Sequence, residues 1–346
     1  MRYDRAAVLE GFSFEQEDRC TRELVRDLHG VNPRIYWADL LITAAIGWIA
    51  FGLTVRVHLP AWNFLSGGIA AAALYRGLCF MHEIAHLSPR VLPHFTLAWN
   101  ALIGYPLLMP SFVYSGVHQG HHSLSSYGTK EDPEYLPFAR SRAMTVVFAL
   151  ESFLIPVVLM VRFLILSLAG FCSSRVQRWL VVHFSSLTMN LAYRRNATPE
   201  LVRRVRRESA LIAALWGAMA FLCLRGMLPW KLFLVWMLVS SVISFVNTLR
   251  TLGAHAYESE GASLDRQGQL VDSIDTPGAV WTEVWAPVGL RYHALHHYFP
   301  GIPYHNLPRA WRRVAATLPR EAVFHQVSSP GLLYSLRNLL SGKFGS

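Results

Sequence analysis

Four long apolar segments restrict the folds that this chain can adopt: residues 36–55, 63–81, 209–224 and 230–249. A helix needs about 20 apolar residues to span the hydrocarbon core of a bilayer. Short linkers join the segments in pairs, so they predict two transmembrane helical hairpins, although 209–224 is short for a full crossing. The composition agrees, because 53% of the 346 residues are hydrophobic and only 16% are charged. Soluble domains average about 25% charged residues. The sequence therefore predicts an all-α integral membrane protein.

Two further apolar stretches, 97–114 and 144–169, bear on the number of crossings. Six arginines lie in residues 1–34 and eight lie in 172–208. Because arginine-rich loops remain on the cytoplasmic side, both regions should be cytoplasmic. We therefore expect the two stretches, which contain prolines, to be re-entrant or interfacial. This leaves about four crossings, with six as the alternative.

This topology predicts three parts. They are a cytoplasmic N-terminal segment 1–34, a membrane domain 35–320 and a C-terminal tail 321–346. The first 20 residues are too charged for a secretory signal peptide. The four cysteines are far apart and form no CxxC pair: Cys20, Cys79, Cys172 and Cys223. They indicate neither a disulfide framework nor a thiolate metal site.

Eight histidines occur in three short motifs, MHEIAH, GVHQGHHS and RYHALHHYFP, which the topology places on one side of the membrane. They are His82, His86, His118, His121, His122, His293, His296 and His297. On a helix, spacings of three and four residues place side chains on one face. Neutral imidazole binds iron, copper, nickel or zinc. One HxxHH motif alone is equally consistent with a polar helix end, but the joint pattern favours metal binding.

A ninth histidine, His255 in TLGAHAY, follows the last predicted span. With the other eight it could furnish two metals with four or five ligands each. His305 is a weaker candidate, as a ligand or as a partner of one. Glu83, Asp132 and Asn247 could orient ligand imidazoles, because a metal-bound histidine usually donates its other N–H to a carboxylate or carbonyl. Asp132 could equally be a turn residue before a proline. Five isolated histidines are expected at surfaces or interfaces: His29, His58, His94, His183 and His325.

Two other functions fit part of the pattern. HEIAH matches the H-E-x-x-H signature of zinc proteases, with Glu83 as general base. A membrane metal store or haem anchor would also use histidines. The protease leaves two HxxHH motifs unexplained, and haem needs only one or two histidines.

The three motifs, in this order and on one side of two hydrophobic hairpins, resemble the membrane fatty acid desaturase and hydroxylase superfamily over residues 36–320. The stretch HHYFPGIPYHNLPRAWRRV is similar to its acyl-lipid desaturase branch. Two positions depart from the pattern. Some members have asparagine four residues before the lone histidine, where this chain has Thr251, with Asn247 a turn earlier. Many have Asp or Cys at the position of Glu83. The resemblance implies nine di-iron ligands: His82, His86, His118, His121, His122, His255, His293, His296 and His297.

The resemblance also implies an activity, O2-dependent oxidation of an unactivated C–H bond in a fatty acyl chain. Desaturation is the first expectation. Decarboxylation to a terminal alkene, or hydroxylation or ketolation of a lipid or carotenoid, are alternatives. The cofactors would be two irons, with O2 as co-substrate, and the substrate a fatty acid or acyl-lipid. No HPGG-type cytochrome segment is present, so we expect an external electron donor.

The net charge of +10 and the arginine-rich cytoplasmic face bear on partners and location. Such a face suits an acidic ferredoxin, flavodoxin or similar donor. It also suits anionic lipid headgroups. The ordinary positive-inside bias accounts for much of this charge without any partner. Nucleic acid is not expected, because the arginines flank membrane segments. We expect an inner or cell membrane protein with its active site on the cytoplasmic face.

Overall fold

The computed structural model describes residues 13–342, so the predicted N-terminal segment and C-terminal tail lie partly outside the described residues. Every regular element in this range is a helix, and β-structure is limited to isolated bridges. This confirms the all-α prediction. The helices, numbered in chain order, are α1 Phe14–Val25, α2 Pro33–Arg56, α3 Pro60–His86, α4 Phe95–Trp99, α5 His118–His121, α6 Arg142–Cys172, α7 Ser174–Phe184, α8 Pro199–Leu224, α9 Lys231–Leu252, α10 Arg266–Asp272, α11 Thr282–Trp285, α12 His293–Tyr298, α13 Leu307–Thr317, α14 Val323–Gln326 and α15 Leu332–Ser341.

Five of the described helices, α2, α3, α6, α8 and α9, are long and apolar enough to cross a membrane. Three of them contain a predicted span in full, and α9 begins at Lys231, one residue after the start of the fourth. The expected short arm at 209–224 is part of α8, which has 26 residues and begins at Pro199. The Oγ1 of Thr198 accepts the backbone N–H of Leu201 at 3.3 Å and caps this start. Because arginine is a good helix former, the charged segment before the apolar run is also helical.

The fifth long helix, α6, lies in a stretch that we expected to be re-entrant or interfacial. It forms a helical run of 31 residues. Pro156 lies in the first turn after a 3₁₀ segment at Ser152–Leu154, and a π segment follows at Val161–Leu166. Proline removes an N–H from the hydrogen-bond ladder, and such local changes of helix type accommodate it. The run is therefore longer than expected, and its interfacial placement stays a prediction.

The α2–α3 hairpin shows how apolar helices expose one face and pack on another. The exposed residues of α2 recur every three or four positions: Ile42, Ile46, Ile49 and Leu53. On the opposite face, a Cβ added to Gly47 would lie 2.7 Å from Cδ2 of Leu74 in α3. The two helices can approach closely because Gly47 has no side chain. The exposed face is suited to contact with lipid.

The described chain forms two compact units. Unit one contains the residues up to Asn32, Gly120–Ala149 and the residues from Thr248 onward. Unit two contains Pro33–Gln119 and Leu150–Asn247, and therefore most of the long apolar helices. The predicted domain boundaries stay a prediction.

Unit one has a hydrophobic core that joins its first helix to its last elements. Val25, Ala310, Val314 and Phe324 are buried members of this core. Glu17 is buried within it, and its carboxylate accepts the backbone N–H groups of Val323 at 2.9 Å and Phe324 at 3.0 Å. These bonds satisfy the first amides of α14.

Asp275 fixes the start of α12, the helix of the third histidine motif. Its carboxylate accepts the N–H of Leu295 at 3.1 Å. Its backbone forms isolated bridges with Tyr292 and Ser328. The first turn of α12 is therefore held by one buried segment of the same unit.

Candidate metal centre

Four predicted ligands converge inside unit one: His121, His255, His293 and His297, here called the four-histidine group. One ring nitrogen of each lies within 4.8 Å of those of the other three, and all four residues are buried. Nε2 of His255 lies 2.8 Å from Nε2 of His293 and 3.4 Å from Nε2 of His121. Nitrogens that bind one metal at about 2.1 Å lie about 3 Å apart, so this spacing fits a shared ion.

Helix geometry explains why the third motif contributes only two rings to this group. Each residue rotates by about 100° along an α-helix, which leaves positions four apart about 40° from each other. The ring centroids of His293 and His297 are 4.6 Å apart, but those of His293 and His296 are 6.3 Å apart. The ring of His296 instead lies 5.0 Å from that of His122, also in unit one. The three rings of this motif therefore do not share one point of convergence, although their spacing suggested one face.

Asp132 orients His121. Both carboxylate oxygens lie 3.0 Å from Nδ1 of His121. The carboxylate also accepts the backbone N–H groups of Gly128 at 3.0 Å and Glu134 at 2.9 Å. Burial lowers the pKa of His121, but the charge and hydrogen bond of Asp132 outweigh it and raise the pKa overall. Because a carboxylate accepts, Nδ1 carries the proton and Nε2 is available to a metal. The predicted orienting role of Asp132 is thus present in the structure.

His255 is held by a second buried carboxylate, Asp272, and by two tyrosines. The hydroxyl of Tyr127 donates to Oδ2 of Asp272 at 2.9 Å, and that of Tyr135 donates to Oδ1 at 2.9 Å. Nδ1 of His255 lies 2.9 Å from the Tyr127 oxygen and 3.4 Å from Oδ2 of Asp272. Burial lowers the pKa of His255, which favours the neutral imidazole that metals bind.

The two ring nitrogens of His297 indicate that a metal ion fits the four-histidine group. Neither ring nitrogen of this buried residue has a hydrogen-bond partner among residues 13–342. Burial, with the nearby imidazoles, lowers its pKa well below the ordinary histidine value. A buried polar atom without a partner costs about 1–3 kcal/mol, and coordination to a metal would remove that cost. The donor set, imidazole without thiolate, suits iron.

A second set of predicted ligands, His82, His86 and His118, lies in unit two and is here called the unit-two triad. The ring centroids are 5.2 Å apart for His82 and His86, 4.7 Å for His82 and His118, and 4.9 Å for His86 and His118. Nδ1 of His118 lies 2.9 Å from the hydroxyl of Tyr114. The first motif and the start of the second therefore meet inside this unit.

Glu83, the candidate base of the protease alternative, accepts a hydrogen bond from the hydroxyl of Tyr36. Its other oxygen lies 4.0 Å from Nδ1 of His82. Glu83 thus joins α2 to the end of α3 beside the triad, and its orienting role stays a prediction.

The remaining histidines lie elsewhere. Nε2 of His305 accepts the backbone N–H of Asn32 at 3.2 Å, and the residue belongs to neither histidine set. This contact joins the first segment of unit one to the loop before α13. The five isolated histidines are exposed or half-buried, as expected: His29, His58, His94, His183 and His325. The roles suggested for Asn247 and Thr251 stay predictions.

Sequence reasoning missed Tyr127, Tyr135 and Asp272. Asp272 is 145 residues from Tyr127 along the chain, so no local pattern links them. The available signal was the stretch LVDSID, in which acidic residues lie within an apolar segment. Acidic residues are almost never fully buried unless they are paired.

Two similarities to known proteins identify the family of this chain. The fatty acid desaturase family model matches residues 57–328. A ceramide hydroxylase of Caulobacter vibrioides (strain NA1000 / CB15N) is 36% identical over 332 residues, covering 93% of this chain and 92% of the relative.

The four-histidine group could hold a metal ion, and the long apolar helices fit a membrane protein. The family match and the relative identify the protein as an oxidoreductase. The chain belongs to the fatty acid desaturase family. This confirms the resemblance inferred from the histidine motifs. It also favours oxidation over the protease alternative, which left two of the three motifs unexplained.

Proposed function

We propose that the protein hydroxylates an unactivated C–H bond of a ceramide-type lipid. The observation that carries this proposal is the 36% identity to a ceramide hydroxylase over 93% of the chain. The proposal replaces acyl desaturation, our first expectation from the motifs, by one of its alternatives.

Iron would be held by nine histidines. The four-histidine group, which lies within unit one, would bind one ion. When bound, the two irons would supply O2 reduction and oxidation of the C–H bond. The separation of donors within the four-histidine group and the two nitrogens of His297 without a partner support this assignment.

The chain's own residues would fix the protons and exclude water. Asp132 and Tyr127 hold Nδ1–H of His121 and His255, so that both Nε2 atoms remain acceptors. Burial lowers the pKa of His255 and His297, which favours the neutral imidazole. Burial of all four rings also keeps bulk water from the oxidising centre. The apolar exposed faces of the long helices suit a lipid substrate.

Desaturation is the second candidate, and a specific observation favours it. The family description is fatty acid desaturase, and the HHYFPGIPYHNLPRAWRRV stretch is similar to the acyl-lipid branch. Both reactions remove a hydrogen atom from the same kind of bond, so one site serves either. The product separates them, because hydroxylation adds one oxygen atom and desaturation removes two hydrogen atoms.

An acidic ferredoxin, flavodoxin or similar protein would supply electrons at a cytoplasmic site, and anionic lipids would contact the arginines. Not every arginine is available for such contacts. Arg195 is buried and donates to the carbonyls of Phe112, Ser185 and Ser115. Arg204 donates to Glu208 at 2.7 Å. Exposed residues such as Arg309 and Arg312 are better candidates.

The test is expression in a host that contains ceramides, followed by mass spectrometry of its lipids. We expect ceramides with one additional oxygen in the wild type and none with His297→Ala. His183→Ala is the matched control, because His183 is exposed and distant in sequence from the motifs. Lipids that lose two hydrogen atoms instead would favour desaturation, and unchanged lipids would contradict the proposal.

A further inference from the structure

The environment of Asp272 offers an inference about how the four-histidine group is assembled. Asp272 is buried at the end of α10. Two phenols donate to it, one per oxygen, and the N–H of Glu258 approaches Oδ1 at 3.4 Å. The catalytic role proposed above does not require this carboxylate.

Backbone pairing explains why the carboxylate lies beside His255. The N–H of Ala256 donates to the carbonyl of Asp272 at 2.6 Å, and that of Ile274 donates to Ala254 at 2.8 Å. His255 and Ser273 form an isolated antiparallel bridge. His255 lies beyond the end of α9, so this pairing, and not a helix, sets its position.

Proton counting then fixes the tautomer of His255. An ionised carboxylate only accepts, so the single phenolic proton of Tyr127 must go to Asp272. The Tyr127 oxygen, 2.9 Å from Nδ1 of His255, is left to accept the Nδ1 proton. Nε2 of His255 then has no proton, and this is the atom that lies 2.8 Å from Nε2 of His293.

We propose that Asp272, acting through Tyr127, is a positioning residue that holds His255 in the metal-binding tautomer. It thereby sets the metal affinity of the four-histidine group. The inference rests on the proposed function only in taking iron as the metal. Both oxygens of Asp272 accept a phenolic hydrogen bond and Oδ1 also faces the N–H of Glu258, which agrees with a carboxylate that only accepts.

The two tyrosines provide a matched pair of variants. Tyr127→Phe removes the hydroxyl that lies 2.9 Å from both Asp272 and His255, and leaves only the 3.4 Å approach of Oδ2 to Nδ1. Tyr135→Phe removes the same type of bond from the same carboxylate, but the Tyr135 hydroxyl otherwise pairs with the N–H of Ser259 at 3.0 Å. A merely structural role of Asp272 would make the two variants alike.

The experiment measures iron per chain in the purified full-length protein, and the rate at which a chelator removes it. Losses of partners that orient a ligand typically cost 10–100-fold in metal affinity. We expect Tyr127→Phe and Asp272→Asn to release one of two irons about 10–100-fold faster. The other iron should be released at the wild-type rate. Tyr135→Phe should release both irons at close to the wild-type rate.

A double variant, Tyr127→Phe with Asp272→Asn, should release iron no faster than the more severe single variant. Both substitutions act on the same contact between Asp272, Tyr127 and His255, so their effects should not add. Equal losses in Tyr127→Phe and Tyr135→Phe, or unchanged release from both Tyr127→Phe and Asp272→Asn, would overturn the inference. If Asp272→Asn does not fold, the comparison of the two phenylalanine variants still decides. A wild type that binds no iron would contradict the proposed function instead, which distinguishes the two failures.

Discussion

The four-histidine group of unit one and the unit-two triad use the same side chain but have different partners. In unit one, Asp132 contacts His121 and the Tyr127–Asp272 pair contacts His255. In unit two, His118 contacts the phenol of Tyr114, while the carboxylate of Glu83 lies 4.0 Å from Nδ1 of His82. Charge-assisted hydrogen bonds are roughly twice as strong as neutral ones. Two sets of identical ligands can therefore differ in basicity, and we expect the group in unit one to hold metal more tightly.

The largest effect on turnover and iron content is expected for His297→Ala. This residue is buried and lies among the other three imidazoles of the group. Turnover should be abolished, and iron should fall from two to about one per chain, since loss of a ligand exceeds the 10–100-fold cost of losing an orienting partner. His255→Ala should behave in the same way. Metal analysis and lipid turnover on the same preparation check this, with His183→Ala as control. Full iron in His255→Ala would remove it from the ligand set.

Substitution of one partner of a histidine in each set should have a smaller effect on iron binding, and it compares the two sets directly. Asp132→Asn replaces a charged partner of His121 by a neutral one, and should weaken iron binding about 10–100-fold. Tyr114→Phe removes the phenol beside His118, which is a neutral partner, and should weaken binding less than about 10-fold. Iron release to a chelator measures both. A larger effect of Tyr114→Phe would show that the carboxylates do not make unit one the tighter site.

Unit one should also have a pH-dependent stability that comes from Asp275. Burial raises the pKa of this carboxyl from 3.8 to about 7, so the folded protein retains a proton that the unfolded chain releases. The contribution to stability is therefore complete below about pH 4 and is lost as the pH rises through about 7. Asp275→Asn keeps an acceptor for the N–H of Leu295 but does not titrate. Its apparent Tm should depend less on pH over this range than that of the wild type. Parallel curves for the two proteins would contradict this assignment.

The smallest effect on turnover is expected from cysteine substitutions that test the interfacial placement of α6. Glu131 precedes this helix, and Leu191, 82% exposed, follows it. Cysteines introduced at either site, in a Cys172→Ser background, should react with an impermeant maleimide only from the cytoplasmic side, and turnover should be nearly unchanged. Labelling of the Leu191→Cys protein from the opposite side would show that α6 crosses and that the arginine-based topology is wrong.

The sequence by itself determined the features that depend on local pattern. Apolar runs of about 20 residues can satisfy their backbone in lipid only as helices, so the four predicted spans lie in long helices. The spacing within MHEIAH and RYHALHHYFP identified candidate ligands, because residues three and four apart are neighbours on a helix. Asp132, eleven residues from His121, was within reach of such reasoning.

Only the tertiary structure decided how the ligands are grouped and supported. His293 and His297 lie about 40° apart on α12 and join the four-histidine group. His296 lies about 60° from His293 in the other direction, and its ring lies beside that of His122. Asp272 reaches His255 through Tyr127, which comes from a segment 145 residues away. Periodicity encodes which residues share a face of one helix. It does not encode which other segment packs against that face, because that is set by the packing of side chains from distant parts of the chain.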